Sequence, residues 1–377
     1  MSIILNICNL LKNDDEVDEE QLKRSIKSLD SSVLSYLHYF SLFSFKNNMG
    51  RFLIASKILY YLNKFYYEPF NGTITLTFGD VAESHVGMQK IGTMADTGFS
   101  YSDLLIAQKY FKRLGCETGI IHLNDFLPEP EAYDDNPKEV GSLQKANENI
   151  EYQAYVLVAK DGLKHLTGDN GVSELTLEML LYDWDDKFYN TRRKVVQNKR
   201  ARQNLNFSKT TQISDFKEGK GTTISWNDVP LLFNLKGKIV DAFGDAARDL
   251  KCEGNKYCEL DTTGIGYHGD SERKKVIGVR LGSEMTIHWN WFYNNQPRGD
   301  NVSLVLNPGD IYCMSEKAVG TDWKYGSKYT LRHAAGSKIY TTKTPKLTVE
   351  DIEKRSYEGF PGPINVGKAE IKIKKRK

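Results

Sequence analysis

The chain has 377 residues, more than one hydrophobic core usually organises, so two or three domains are expected and a single small module is excluded. Its 51 basic and 49 acidic side chains leave a net charge of +2, which excludes a histone-like polybasic protein and confines any nucleic-acid surface to a local patch. A hydrophobic fraction of 40% with 11% aromatics is too high for general disorder. Five cysteines without a CxxC pair argue against a disulfide framework and a four-cysteine zinc site, and predict an intracellular, reducing home, cytoplasmic or nuclear. The most apolar run, 52–67, is interrupted by Lys57 and Lys64, so neither a membrane span nor a secretion signal is read.

In chain order, Leu22, Ile26 and Leu29, then Leu34, Leu37 and Phe40, recur at helical spacing and predict a helical N-terminal region over 1–70. From there the texture changes. A strand is expected at 73–79, a helix at 101–114 stopped by Gly115, and strands at 119–123 and 152–159, which together suggest a small α/β region over 71–180 of no assigned role. The polar, proline-bearing stretch 128–149 reads as a loop or linker, and the acidic and histidine side chains of 80–87 as a solvated loop. Arg192, Arg193, Lys194, Lys199, Arg200 and Arg202 form a basic run without an acidic residue. It reads either as a solvated face or as a phosphate-binding patch for DNA or RNA. A second basic run closes the tail, 346–377.

The chemistry concentrates at Tyr267-His268-Gly269-Asp270, followed by an aliphatic strand pattern at 276–281. Side chains two apart on extended backbone leave one face, so His268 and Asp270 can enter one pocket as imidazole and carboxylate. Two histidines and one carboxylate on a single face of an octahedral metal leave three positions open, which suits Fe(II) with a chelating co-substrate and oxygen. Downstream, His288 and His333 are the candidates for the third ligand; His333 is preferred, because His288 lies in a strand pattern where an interior or edge histidine is ordinary. Residues 264–269 also spell GxGxxG, but a strand pattern rather than a helix follows, which argues against a dinucleotide site.

Several motifs in order resemble the Fe(II)/2-oxoglutarate dioxygenases, and within them the AlkB-like nucleic-acid dealkylases. A helix pattern over 229–250 leads into Asn255-Lys256-Tyr257, similar to the family's Asn-x-Tyr strand. His268-Gly269-Asp270-Ser271-Glu272-Arg273 resembles its HxD followed by acidic residues, and Asn307-Pro308-Gly309-Asp310 its Gly-Asp turn before an apolar strand, with His333 beyond. The resemblance spans about 190–345. It implies an α+β chain with a C-terminal double-stranded β-helix, or jelly roll, over 181–345, behind the helical and α/β N-terminal regions. It further implies metal ligation by His268, Asp270 and His333, co-substrate contacts from Asn255 and Tyr257, and a substrate contact from Glu272, while Trp289 and Trp291 could stack on an extruded base. The implied reaction consumes O2 and 2-oxoglutarate, releases succinate and hydroxylates the substrate; a hydroxylated N-methyl group leaves as formaldehyde.

Two departures stand out. Asp322-Trp323-Lys324-Tyr325 replaces the family's Trp-x-His, and its arginine motif for the far carboxylate of 2-oxoglutarate is missing. A cation is still required there, and Lys343, Lys338 and Arg332 are the candidates, Arg332 being disfavoured because it faces opposite to His333. A protein or small-molecule hydroxylase, or a binding module that has lost the chemistry, are the alternative functions.

Overall fold

The computed structural model of the chain describes residues 24, 70–129, 136–149 and 152–342. The expected N-terminal helices and basic tail, together with Lys343, lie outside the described residues. Among those described, the strands in chain order are β1 (Thr73–Gly79), β2 (Val81–Ala82), β3 (Ile91–Gly92), β4 (Thr118–His122), β5 (Tyr155–Ala159), β6 (Lys187–Asn190), β7 (Val195–Asn198) and β8 (Gln203–Ser208). There follow β9 (Thr223–Ser225), β10 (Lys251–Tyr257), β11 (Gly264–His268), β12 (Val276–Gly282), β13 (Met285–Tyr293), β14 (Gln296–Leu306), β15 (Ile311–Met314) and β16 (Thr330–Gly336). The helices are α1 (Tyr101–Arg113), α2 (Pro137–Glu148), α3 (Gly162–Thr167), α4 (Gly171–Leu180), α5 (Pro230–Phe243), α6 (Glu316–Val319) and α7 (Lys338–Thr341). The chain is thus a mixed α and β protein, dominated by strands.

Two sheets carry the architecture. The larger has eight strands in the order β4-β5-β15-β12-β1-β10-β8-β9, and the smaller has four in the order β11-β16-β13-β14. Alternation explains their placement. In β1, Ile74, Leu76 and Phe78 leave one face and Thr73, Thr75 and Thr77 the other; in β12, Ile277, Val279 and Leu281 oppose Val276, Gly278 and Arg280. The first face of each packs under Leu104 and Phe111 of α1, Leu163 of α3, Met179 of α4 and Leu232 and Ile239 of α5. A second core fills the space between the sheets, where Val156, Val158, Val276 and Met314 of the large sheet meet Ile287, Trp289, Trp291, Leu304 and Leu331 of the small one. Each sheet is therefore covered on a face that its own sequence makes apolar.

The topology corrects the expected domain boundary at 180. β1 hydrogen-bonds β10 on one side and β12 on the other, and β5 pairs with β15, so strands from 71–180 are laid between strands from 181–345. They form one sheet, and the two stretches cannot be separate domains. The expected linker 128–149 contains α2 instead. Asn136 accepts the Glu139 N–H at its start, Leu143 and Ala146 are fully buried, and the buried Glu139 carboxylate meets Arg298 Nε at 2.6 Å and Tyr329 Oη at 3.1 Å. So few apolar positions gave no readable periodicity; tertiary contacts hold this helix. Residues 264–269 form β11 and a loop that leads to β12 without an intervening helix, as the argument against a dinucleotide site expects.

Candidate metal centre and its cavity

His268 ends β11 and lies opposite His333 of β16 in the antiparallel register. Asp270 follows in a loop fixed by its own N–H, which donates to the Val319 carbonyl at 3.1 Å. Gly269 is needed at this turn: a Cβ there would stand 2.0 Å from the Gly320 carbonyl oxygen. As a result His268 Nε2 lies 3.5 Å and His333 Nε2 3.6 Å from Asp270 Oδ1, and the three ligand atoms fall within 4.8 Å of one another.

The protonation states suit ligation. His268 Nδ1 sits 2.8 Å from the Gly266 carbonyl, so it donates there and leaves the Nε2 lone pair facing Asp270. Burial, helped by the Arg273 charge, holds His333 well below the ordinary imidazole value, hence neutral. Asp270 is oriented by Arg273, whose Nε lies 3.4 Å from Oδ2. The same buried guanidinium meets Glu253 at 2.6 Å and Glu272 at 2.9 Å. Burial opposes its charge, yet Glu253, Asp270 and Glu272 keep it firmly protonated. Burial and the Asp270 charge push the Glu272 carboxyl up, and burial and Glu272 do the same to Glu83. Three carboxylates around one arginine leave an excess of negative charge beside the triad, a setting that a divalent cation would neutralise.

The triad opens into a cavity of about 810 Å³ between the two sheets. Asn255, Tyr257 and Glu272 line it, as expected, together with Trp323 and with Glu83 and His85 of the stretch read as a solvated loop. That loop is drawn inwards, for the Glu83 N–H donates to Glu253 at 3.3 Å. Arg280 also lines the cavity, and it is 1% exposed. Its Nη1 donates to Thr75 Oγ1, its Nε has no hydrogen-bond partner, and it forms no ion pair among the described residues. A guanidinium enclosed without an ion pair is costly, and an anion in the cavity would offset that cost.

Other expectations are corrected. Trp289 and Trp291 are 0% exposed in the core between the sheets, where Trp291 Nε1 donates to the Leu123 carbonyl; neither reaches the cavity. Two residues apart on β13, which pairs with β16 in unbroken register, both side chains face the same core. Arg332 packs against Phe292 at 4.3 Å and Trp323 at 5.1 Å and donates to Asn295, outside the cavity lining. Lys338 is exposed on α7. Neither cation faces the triad. His288 bonds Ser303 Oγ at 2.7 Å, away from the cavity, and burial pushes it down to about 4. Arg280 escaped the sequence reading, although one signal was present: it is the single charge in the otherwise apolar run Val276–Gly282.

Beside this cavity lies a second, of about 1120 Å³, on the hairpin of β6 and β7. Arg192, Arg193, Lys199, Arg200 and Arg202 line it with no acidic side chain, and it shares His85 and Arg202 with the metal cavity. The His85 ring stacks on Phe188 at 3.7 Å where the two spaces meet. Burial pushes Lys199 down to about 8.

No family model matches the chain. It is similar to the uncharacterized protein R156 of Acanthamoeba polyphaga mimivirus, with 38% identity over 264 residues, covering 70% of this chain and 95% of the relative. At that identity and coverage, the chain belongs to the family of the mimivirus protein R156.

Proposed function

We propose that this protein is an Fe(II)- and 2-oxoglutarate-dependent oxygenase, its two facing sheets forming a double-stranded β-helix, and that it acts on nucleic-acid bases. The observation that carries the reading is the convergence of His268, Asp270 and His333 in the cavity that also encloses Arg280, which makes no ion pair among the described residues. Two imidazoles and one carboxylate fit Fe(II), and a buried guanidinium without an ion pair among the described residues fits a dicarboxylate co-substrate.

Iron with O2 and 2-oxoglutarate would supply the oxidising power for hydroxylation, the co-substrate leaving as succinate and carbon dioxide. The chain's own residues do the rest. His268 and His333 present Nε2, and Asp270 presents Oδ1 while Arg273 holds its other oxygen. Arg280, placed by Thr75, takes the far carboxylate of 2-oxoglutarate in the role first expected of Lys343, Lys338 or Arg332. Glu83 and Glu272 offer carboxyl groups to a substrate ring. The basic groove holds the phosphates leading to the cavity.

The test is succinate formation by Fe(II)-loaded protein with methylated oligonucleotides. The expected result is turnover that depends on 2-oxoglutarate and is abolished by His268→Ala, Asp270→Ala or His333→Ala, with formaldehyde released in step. Metal-loaded, folded protein that makes no succinate above a blank, and shows no thermal shift with 2-oxoglutarate, would falsify the oxygenase reading. Succinate without formaldehyde from any oligonucleotide would overturn the base substrate alone.

A further inference from the structure

Away from the metal cavity, the edge of the large sheet carries a cleft of about 270 Å³ that the proposed oxygenase chemistry does not use. It is bounded by Lys209, beyond β8, by Trp226, beyond β9, by Lys251 at the start of β10, and by Phe233 and Lys236 on α5. The placement of its ammonium groups is unusual. Lys236 Nζ donates to the Arg248 carbonyl at 2.8 Å and Lys251 Nζ donates to the Asp249 carbonyl at 2.6 Å. Two positive charges are thereby fastened to neighbouring residues of one loop. Each ammonium has three N–H donors and uses one on that loop, and neither is ion-paired with a carboxylate among the described residues. After burial, Lys251 and Lys209 lower the Lys236 pKa and Lys209 lowers that of Lys251, while Asp249, which also lines the cleft, offsets part of the repulsion at both and Asp80 part of it at Lys251.

Like charges held together in a partly buried cleft are unfavourable unless an anion is shared between them. The apolar wall indicates what the anion is attached to. Phe233 is 52% exposed, its ring lies 6.2 Å from that of Trp226, and Lys236 Nζ stands 5.9 Å over the Trp226 ring. An exposed aromatic beside unpaired cations suits a planar ring bearing a phosphate.

We propose that this cleft binds a nucleotide, with its phosphate between Lys236 and Lys251 and its base against Phe233. The site is separate from the triad, and a free nucleotide and one within a strand present it with the same chemistry of recognition. Because the readout is binding, the proposal stands or falls independently of the oxygenase reading.

The experiment is calorimetry on the full chain with AMP, adenosine, inorganic phosphate and a short single-stranded oligonucleotide. AMP is expected to bind at least about tenfold more tightly than adenosine or phosphate, since both halves contribute. The double variant Lys236→Gln with Lys251→Gln should lose about a hundredfold in AMP affinity. Phe233→Ala, at a half-exposed position, should weaken AMP but leave phosphate unchanged. Oligonucleotide binding that is lost in the same variants, with AMP silent, identifies the strand as the source and supports the site. Failure of both AMP and the oligonucleotide to bind, or equal binding by wild type and the double lysine variant, overturns it.

Discussion

Arg280 and Arg273 are both buried in one cavity wall, yet their partners make them opposites. Arg273 is ion-paired with three carboxylates, whereas Arg280 makes no ion pair among the described residues and feels Asp310 only at a distance. Replacing Arg273 by Met strands those carboxylates, so stability should fall by about 3–5 kcal/mol, with part of the loss restored by a divalent metal. Denaturant titrations with and without Mn(II) measure this; a neutral effect would contradict the charge argument. Replacing Arg280 by Gln should leave the fold intact, since no ion pair is broken. It should weaken 2-oxoglutarate binding to the Mn(II)-loaded protein by about a hundredfold, the worth of a buried charge-assisted pair at ~2–3 kcal/mol. Pyruvate, which lacks the far carboxylate, should bind wild type and variant alike.

Among the elements, α5 has a cap supplied from another helix. Pro230 opens it, and the N–H groups of Leu231 and Leu232 donate to the two carboxyl oxygens of Glu178 in α4, at 2.9 and 2.8 Å. Burial pushes the Glu178 carboxyl up to about 8 against the opposing pull of these two N–H groups. In the unfolded chain it ionises near 4.5. The folded state therefore holds more protons between those values, and the stability this provides is complete below the lower one and lost as pH rises through the upper. Stability should decline over that window by up to about 1.4 kcal/mol per pH unit, and Glu178→Gln should flatten the decline; urea titrations across the range measure both. In β12, a Cβ on Gly278 would stand 2.1 Å from the Tyr312 ring, whose side chain enters the metal cavity. Gly278→Ala should cost about 1–3 kcal/mol by overpacking and weaken co-substrate binding as Tyr312 shifts, which calorimetry would show.

At the scale of the molecule, the long-range pairing of β1 with β10 and β12 makes the large sheet indivisible. A fragment of residues 181–345, the domain the sequence suggested, should give no cooperative unfolding transition, because excision removes a central strand and leaves two unpaired edges. Adding residues 70–180 in trans should restore a transition. A stably folded 181–345 fragment would contradict the topology. Chelation should lower the melting temperature of the metal-loaded chain, and Asp270→Ala should remove that sensitivity.

What the sequence determined by itself was local. Alternation marked β1 and β12, helical spacing and Gly115 marked α1, and the two-residue step on extended chain put His268 and Asp270 on one side of a loop. Strand faces and helix stripes are written in neighbouring residues, whose periods are fixed by backbone geometry. What the tertiary structure decided was everything that depends on which distant strands pair. It set His333 opposite His268, turned Trp289 and Trp291 into core, brought the loop carrying Glu83 and His85 to the cavity, and placed Arg280 beside the triad. Pairing is chosen by the burial of whole sheet faces and by hydrogen bonds between segments far apart in the chain, and no local period records that choice.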